Sequence, residues 1–132
     1  MTLLPLTDEA RRSLGGHPHF QFTLPLRVGR ESRAPRPSQV AVERRLQQMP
    51  PLNDLYLIHP RPPEGFQISR QHFMIEQVGS QIELTDLKST CGTWVGDRPL
   101  GAGSPDSYVA LQDGDVIAVG GRQSPYRYRF SL

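Results

Sequence analysis

The 132-residue chain is predicted to be an all-β domain, an antiparallel sandwich or barrel. Three observations carry that prediction. From Phe20 onward, apolar and polar residues alternate in short runs, the period of a strand with one buried face. Turn chemistry punctuates those runs, most clearly at Gly79-Ser80 and Asp113-Gly114-Asp115. A chain of this length makes one domain and buries roughly two thirds of its unfolded surface, enough to keep a core without staples.

Residues 1–18 are expected to form an N-terminal extension, either a tail or one short helix. For the helix, Thr7 is a fitting cap, Asp8 and Glu9 suit its positive end, and Gly15-Gly16 stops it. The β domain is expected over residues 19–132. Its first strand covers 20–24, a second run over 26–28 continues the period, and a further strand covers 55–58. Residues 73–78 and 81–85 flank Gly79-Ser80 as a hairpin. Strands over 93–95, 108–111 and 115–119 follow. In a closing strand over 126–130, Tyr126, Tyr128 and Phe130 share one face and Arg127 and Arg129 the other. Core packing explains those aromatics better than the stacking of single-stranded nucleic acid. One region breaks the texture. Arg33-Ala34-Pro35-Arg36-Pro37 reads as a loop, Ser38 as the cap of a helix reaching Gln48, and Pro50-Pro51 as its stop. A short helical insertion over residues 31–53 is therefore expected, after the second strand. Pro60-Arg61-Pro62-Pro63 stiffens a later loop.

Composition narrows the function. The net charge is +2, with fourteen arginines and one lysine, too mildly basic to imply nucleic acid. The single cysteine rules out an internal disulfide. No apolar run approaches the ~20 residues of a membrane span, and Met1-Thr2-Leu3-Leu4 lacks a basic leader. A soluble, cytoplasmic protein with no membrane partner is expected. Neither a metal nor another cofactor is expected. His17, His19 and His59 match no structural zinc spacing, and Asp113-Gly114-Asp115 lacks the later ligands of a calcium loop.

Three segments carry chemistry: Gly29-Arg30 at a strand end, Ser69-Arg70-Gln71-His72, and Ser89-Thr90-Cys91-Gly92-Thr93. Arg30 and Arg70 offer charged forks, while Ser69 and Thr90 offer hydroxyls. Together these donors suit the tetrahedral dianion of a phosphoester. No pair of carboxylates stands beside them to break the ester, so the segments hold a phosphate and do not cut it. Reading Cys91 as a nucleophile with His72 or His59 as base lacks the third group that orients such a base. No enzyme activity is expected.

In order and character these segments resemble a forkhead-associated (FHA) domain. The family pattern runs Gly-Arg, Ser-Arg-x-His, Ser-x-Asn-Gly-Thr before a strand, then a Gly-Asp turn. Here Gly114-Asp115 supplies that turn, and the resemblance covers about residues 19–132. It implies a β-sandwich of two twisted, mainly antiparallel sheets, with recognition loops at one end and a phosphothreonine-containing protein as partner, within Ser/Thr kinase signalling. It also implies roles. Arg30 clamps the phosphate, Ser69 and Thr90 donate hydroxyls, and Arg70 contacts phosphate or peptide. Gly29, His72 and Gly92 shape the loops. Cys91 stands where the family has an asparagine whose amide reaches the peptide backbone, which a thiol cannot match. The alternative is an FHA-like scaffold that binds a partner independently of phosphorylation. Arg33 and Arg36 would extend the basic surface.

Overall fold

A computed structural model describes residues 1–32, 52–60 and 65–132. The expected helix over 38–48, Arg33, Arg36 and residues 61–63 of the proline-rich stretch lie outside them. The described chain forms a β-sandwich. Strands β1 (Thr2–Pro5), β2 (Phe20–Gln21), β7 (Thr93–Val95), β8 (Arg98–Leu100), β10 (Val116–Val119) and β11 (Arg127–Ser131) make a six-stranded sheet in the order β2-β1-β11-β10-β7-β8. Strands β3 (Leu26–Arg30), β4 (Leu55–Leu57), β5 (Phe73–Val78), β6 (Gln81–Asp86) and β9 (Tyr108–Ala110) make a five-stranded sheet in the order β4-β3-β5-β6-β9. Pairing is antiparallel except between β3 and β4, which run parallel.

Alternation decides which face each strand buries. In β11, Tyr128 and Phe130 are buried while Arg129 is exposed. In β5, Phe73 and Ile75 are buried between partly exposed neighbours. These side chains meet Leu3, Leu26, Val28, Leu57, Leu84 and Ile117 in one core between the sheets. Burial of such residues is the main stabilising contribution, about 1.5–3 kcal/mol each. Gly79 supplies the positive φ of the β5–β6 turn, and Val78 pairs with Gln81 across it.

The N-terminal region carries the expected helix and one strand besides. The helix is present as α1 (Asp8–Ser13), with the Thr7 hydroxyl accepting from the Ala10 N–H at 3.0 Å. Before it, Thr2–Pro5 pairs with β11 and buries Leu3, so residues 1–18 contribute a strand to the larger sheet. The stretch 20–28 is also not one continuous unit. Phe20–Gln21 pairs with β1 in one sheet and Leu26–Arg30 with β5 in the other. The strand that carries Arg30 is therefore the third. A strand over Arg98–Leu100 adds an unexpected edge, where the missing N–H of Pro99 leaves no ladder bond unmade.

Candidate functional site

The three chemistry-bearing segments converge at one end of the sandwich, joined by hydrogen bonds. The Arg30 N–H donates to the Ser69 carbonyl at 2.9 Å, and the His72 N–H donates to the Val28 carbonyl at 2.9 Å. Strand β3 thus grips the Ser-Arg turn at both ends. The Thr90 N–H donates to Ser69 Oγ at 3.0 Å, which brings the third segment against the second. Arg30, Ser69 and Thr90 are thereby neighbours in space. Ser69 Oγ is an acceptor in that bond, so its own proton is left to donate outward.

His72 is the pin that holds these loops together. It is fully buried. Its Nδ1 accepts from the Ser69 N–H at 3.0 Å, so Nε2 carries the proton and donates to the Gly92 carbonyl at 2.7 Å. The same carbonyl accepts the Gly120 N–H at 3.0 Å. Burial lowers the His72 imidazole below the ordinary histidine range, against smaller raising contributions from the Gly92 carbonyl and Asp86. Burial likewise lowers His59. The unfolded chain takes up these protons near pH ~6.5, and the folded chain only at lower pH. The stability they contribute is complete above about pH 6.5 and is lost as pH falls through the depressed folded values. The melting temperature is therefore expected to fall between pH 7.5 and about pH 5.5, above the range where ordinary carboxylates titrate. A flat Tm across that window would refute the buried neutral pin.

The 89–93 segment is built on Asp86. Its Oδ1 accepts from Ser89 Oγ at 2.6 Å and Thr93 Oγ1 at 2.7 Å, and its Oδ2 accepts from the Ser89 N–H at 3.0 Å. Ser89 Oγ in turn accepts from the Gly92 N–H at 2.9 Å. Ser89 and Thr93 are thus buried frame, while Thr90 is left exposed at the tip. Gly92 has φ +83°, and a Cβ there would lie 3.0 Å from the Leu100 carbonyl oxygen. Its loop-shaping role has that physical cause.

Arg30 is partly buried and uses only part of its guanidinium for support. Nε donates to the Ile68 carbonyl at 3.0 Å, and the guanidinium carbon lies 3.8 Å from the centroid of the Phe66 ring. Burial, and then the neighbouring Arg70 charge, lower its pKa from the ordinary arginine value. Neither arginine forms an ion pair among the described residues. Arg70 is exposed, and its backbone carbonyl receives Asn53 Nδ2 at 2.6 Å. Two guanidiniums close enough to repel, with no carboxylate paired to either among the described residues, together suit an anion.

Cys91 Sγ lies 3.8 Å from the Phe66 carbonyl oxygen, as a weak donor to the segment that carries Arg30's stacking partner. His72 is committed at both nitrogens, and His59 Nε2 accepts from the Gln67 N–H at 3.0 Å. Neither imidazole is hydrogen-bonded to Cys91 Sγ.

Sequence reasoning missed Phe66, Asn53 and Asp86. Asp86, three residues before Ser89, carried a readable signal, since an aspartate at that spacing closes a turn through its carboxylate. Asn53 and Phe66 act across long chain separations, on a carbonyl and a guanidinium, and nothing local marks them.

Comparison with known proteins agrees with this geometry. Residues 26–120 match the family model of the FHA domain. Over 76 residues, 56% of this chain, the sequence is 38% identical to the FHA domain-containing protein PS1 of Arabidopsis thaliana. That match spans 4% of the length of PS1. The FhaA FHA domain, solved in complex with the intracellular domain of Rv3910, has a TM-score of 0.51 and 23% identity, covering 96% of this chain and 93% of that one. The yeast Pml1 splicing factor, solved with its integration into the RES complex, has a TM-score of 0.60 and 18% identity, covering 98% and 77%. These structures share the fold.

Proposed function

The chain belongs to the FHA domain family of phosphopeptide-binding interaction modules, and from that premise we propose that it binds phosphothreonine in partner proteins and recruits them after Ser/Thr kinase action. The observation that carries the reading is the pair Arg30 and Arg70, without an ion-pair partner among the described residues, beside Ser69 and Thr90. A phosphate dianion relieves the repulsion of the two cations and accepts from both hydroxyls. Each hydrogen bond to that charge is worth ~1.5–3 kcal/mol. Two or three of them separate phosphorylated from unmodified peptide decisively. The methyl of threonine adds about 0.8 kcal/mol over serine where a pocket fits it, a preference and not a rejection.

Cys91 supports a second reading, a phosphorylation-independent scaffold, because its thiol faces Phe66 where the family pattern has an amide for the peptide backbone. One titration decides between the two. A degenerate threonine peptide library, offered phosphorylated and unmodified, is expected to bind only in the phosphorylated form. Equal binding of both forms would favour the scaffold.

A further inference from the structure

A second basic site lies on the outer face of the six-stranded sheet, apart from the phosphate-binding loops. Trp94 of β7, Ala118 of β10 and Arg127 of β11 stand in one cross-strand row, with Ala118 paired to both. Ile117 and Val119 belong to the core, so Ala118 between them faces outward, yet it is only 1% exposed. A methyl shielded between two large side chains makes the floor of a groove. An open groove of about 480 Å³ is found there, with Trp94, Asp97, Arg122, Ser124 and Arg127 in its walls.

The two arginines are held in place. The Arg122 guanidinium carbon lies over the Trp94 ring, 5.4 Å from its centroid. Arg127 Nη1 donates to the Arg122 carbonyl at 3.0 Å. Among the described residues neither has a carboxylate partner, since the ion pairs there join Arg12 to Glu9, Arg27 to Asp54 and Arg98 to Asp106. Asp97 lines the groove without bridging to either. The loop between β10 and β11, which carries Arg122, is also tied to the phosphate-binding loops. Gly120 N–H donates to the Gly92 carbonyl at 3.0 Å and Gly121 N–H to Gln67 Oε1 at 3.4 Å. The groove and the cradle share one framework.

Resting on the phosphothreonine reading, we propose that Trp94, Arg122 and Arg127 form a second anchor, which takes an acidic side chain, aspartate or glutamate, of the same bound partner. A guanidinium fork matches the two oxygens of a carboxylate. The indole face, 5.4 Å from the Arg122 guanidinium carbon, favours a cation at that place. The aromatic wall also packs against the methylenes of a glutamate.

Fluorescence anisotropy with three phosphothreonine peptides tests this. One has neutral flanks, one a run of glutamates before the phosphothreonine, and one the run after it. One glutamate peptide is expected to bind about fivefold more tightly than the neutral peptide, the upper scale of an exposed charge pair. The double variant Arg122→Ala/Arg127→Ala is expected to remove that gain and leave the neutral peptide unchanged. Asp97→Asn is expected to enlarge the gain. The anchor is overturned if neither glutamate run improves binding while phosphate dependence persists, or if the double variant weakens all three peptides alike. Binding that ignores phosphate and survives Arg30→Ala instead overturns the reading on which the anchor rests.

Discussion

Arg30→Ala is expected to weaken binding of a phosphothreonine peptide at least about a hundredfold and to leave binding of the unmodified peptide unaltered. The magnitude follows from what the side chain supplies. Loss of two charge-assisted hydrogen bonds at ~1.5–3 kcal/mol each, at about 1.4 kcal/mol per factor of ten, exceeds two decades. Arg30→Lys is the more informative companion. It keeps the charge but loses the Nε bond to the Ile68 carbonyl and the flat stacking on Phe66. An ammonium on a flexible stem is a point charge, without the fork that spans two phosphate oxygens. Lysine is therefore expected to recover only part of the loss, staying about tenfold or more below the native protein. Calorimetric titration of both variants checks this, with thermal melts to confirm that each is folded. Full recovery by lysine would mean that Arg30 acts through charge alone. No loss in either variant would remove Arg30 from the site.

How much of this was legible beforehand depends on what kind of residue did the work. Period-two alternation announced β5, β6, β10 and β11, since each buries one face against the other sheet. It was silent on Thr2–Pro5 and Arg98–Leu100, short strands that contain proline and bury one leucine each, Leu3 and Leu100. Their strand state comes from pairing with a distant partner, β11 for the first and β7 for the second, and tertiary pairing overrides weak local preference. At the candidate site, Arg30, Ser69 and Thr90 stand out in the sequence because a phosphate would dictate the chemistry that meets it. Phe66, Asn53 and Asp86 do not, because they position other groups. Asn53 holds a backbone carbonyl, a task many residue types could perform. His72 was expected to shape the loops, and its bonds to Ser69 and Gly92 as a neutral, doubly bonded pin needed the coordinates of both.

Gly29 shows the same divide most sharply and carries the second large effect. The motif marked it as loop-shaping and offered no cause. Its backbone is ordinary strand, so conformational freedom is not the reason. The cause is close approach. A Cβ at position 29 would stand 1.9 Å from the Arg70 carbonyl oxygen and 2.6 Å from Asn53 Nδ2. Strand β3 lies so near the Ser-Arg turn because the Arg30 and His72 amides bond across the same gap. A methyl there must push the turn away, and the Asn53 amide that holds the Arg70 carbonyl at 2.6 Å resists. Gly29→Ala is therefore expected to destabilise the fold by about 3 kcal/mol, at the upper end of overpacking, or roughly 10 °C in Tm for a domain of this size. Below the melting transition it is also expected to weaken phosphopeptide binding, because displacing the turn separates Ser69 and Arg70 from Arg30. Gly121→Ala serves as the control, since a Cβ there meets nothing within 4 Å, and should leave Tm nearly unchanged. Equal melting temperatures for Gly29→Ala and Gly121→Ala would show that the turn yields freely, and that the grip of β3 on it does not set the geometry of the cradle.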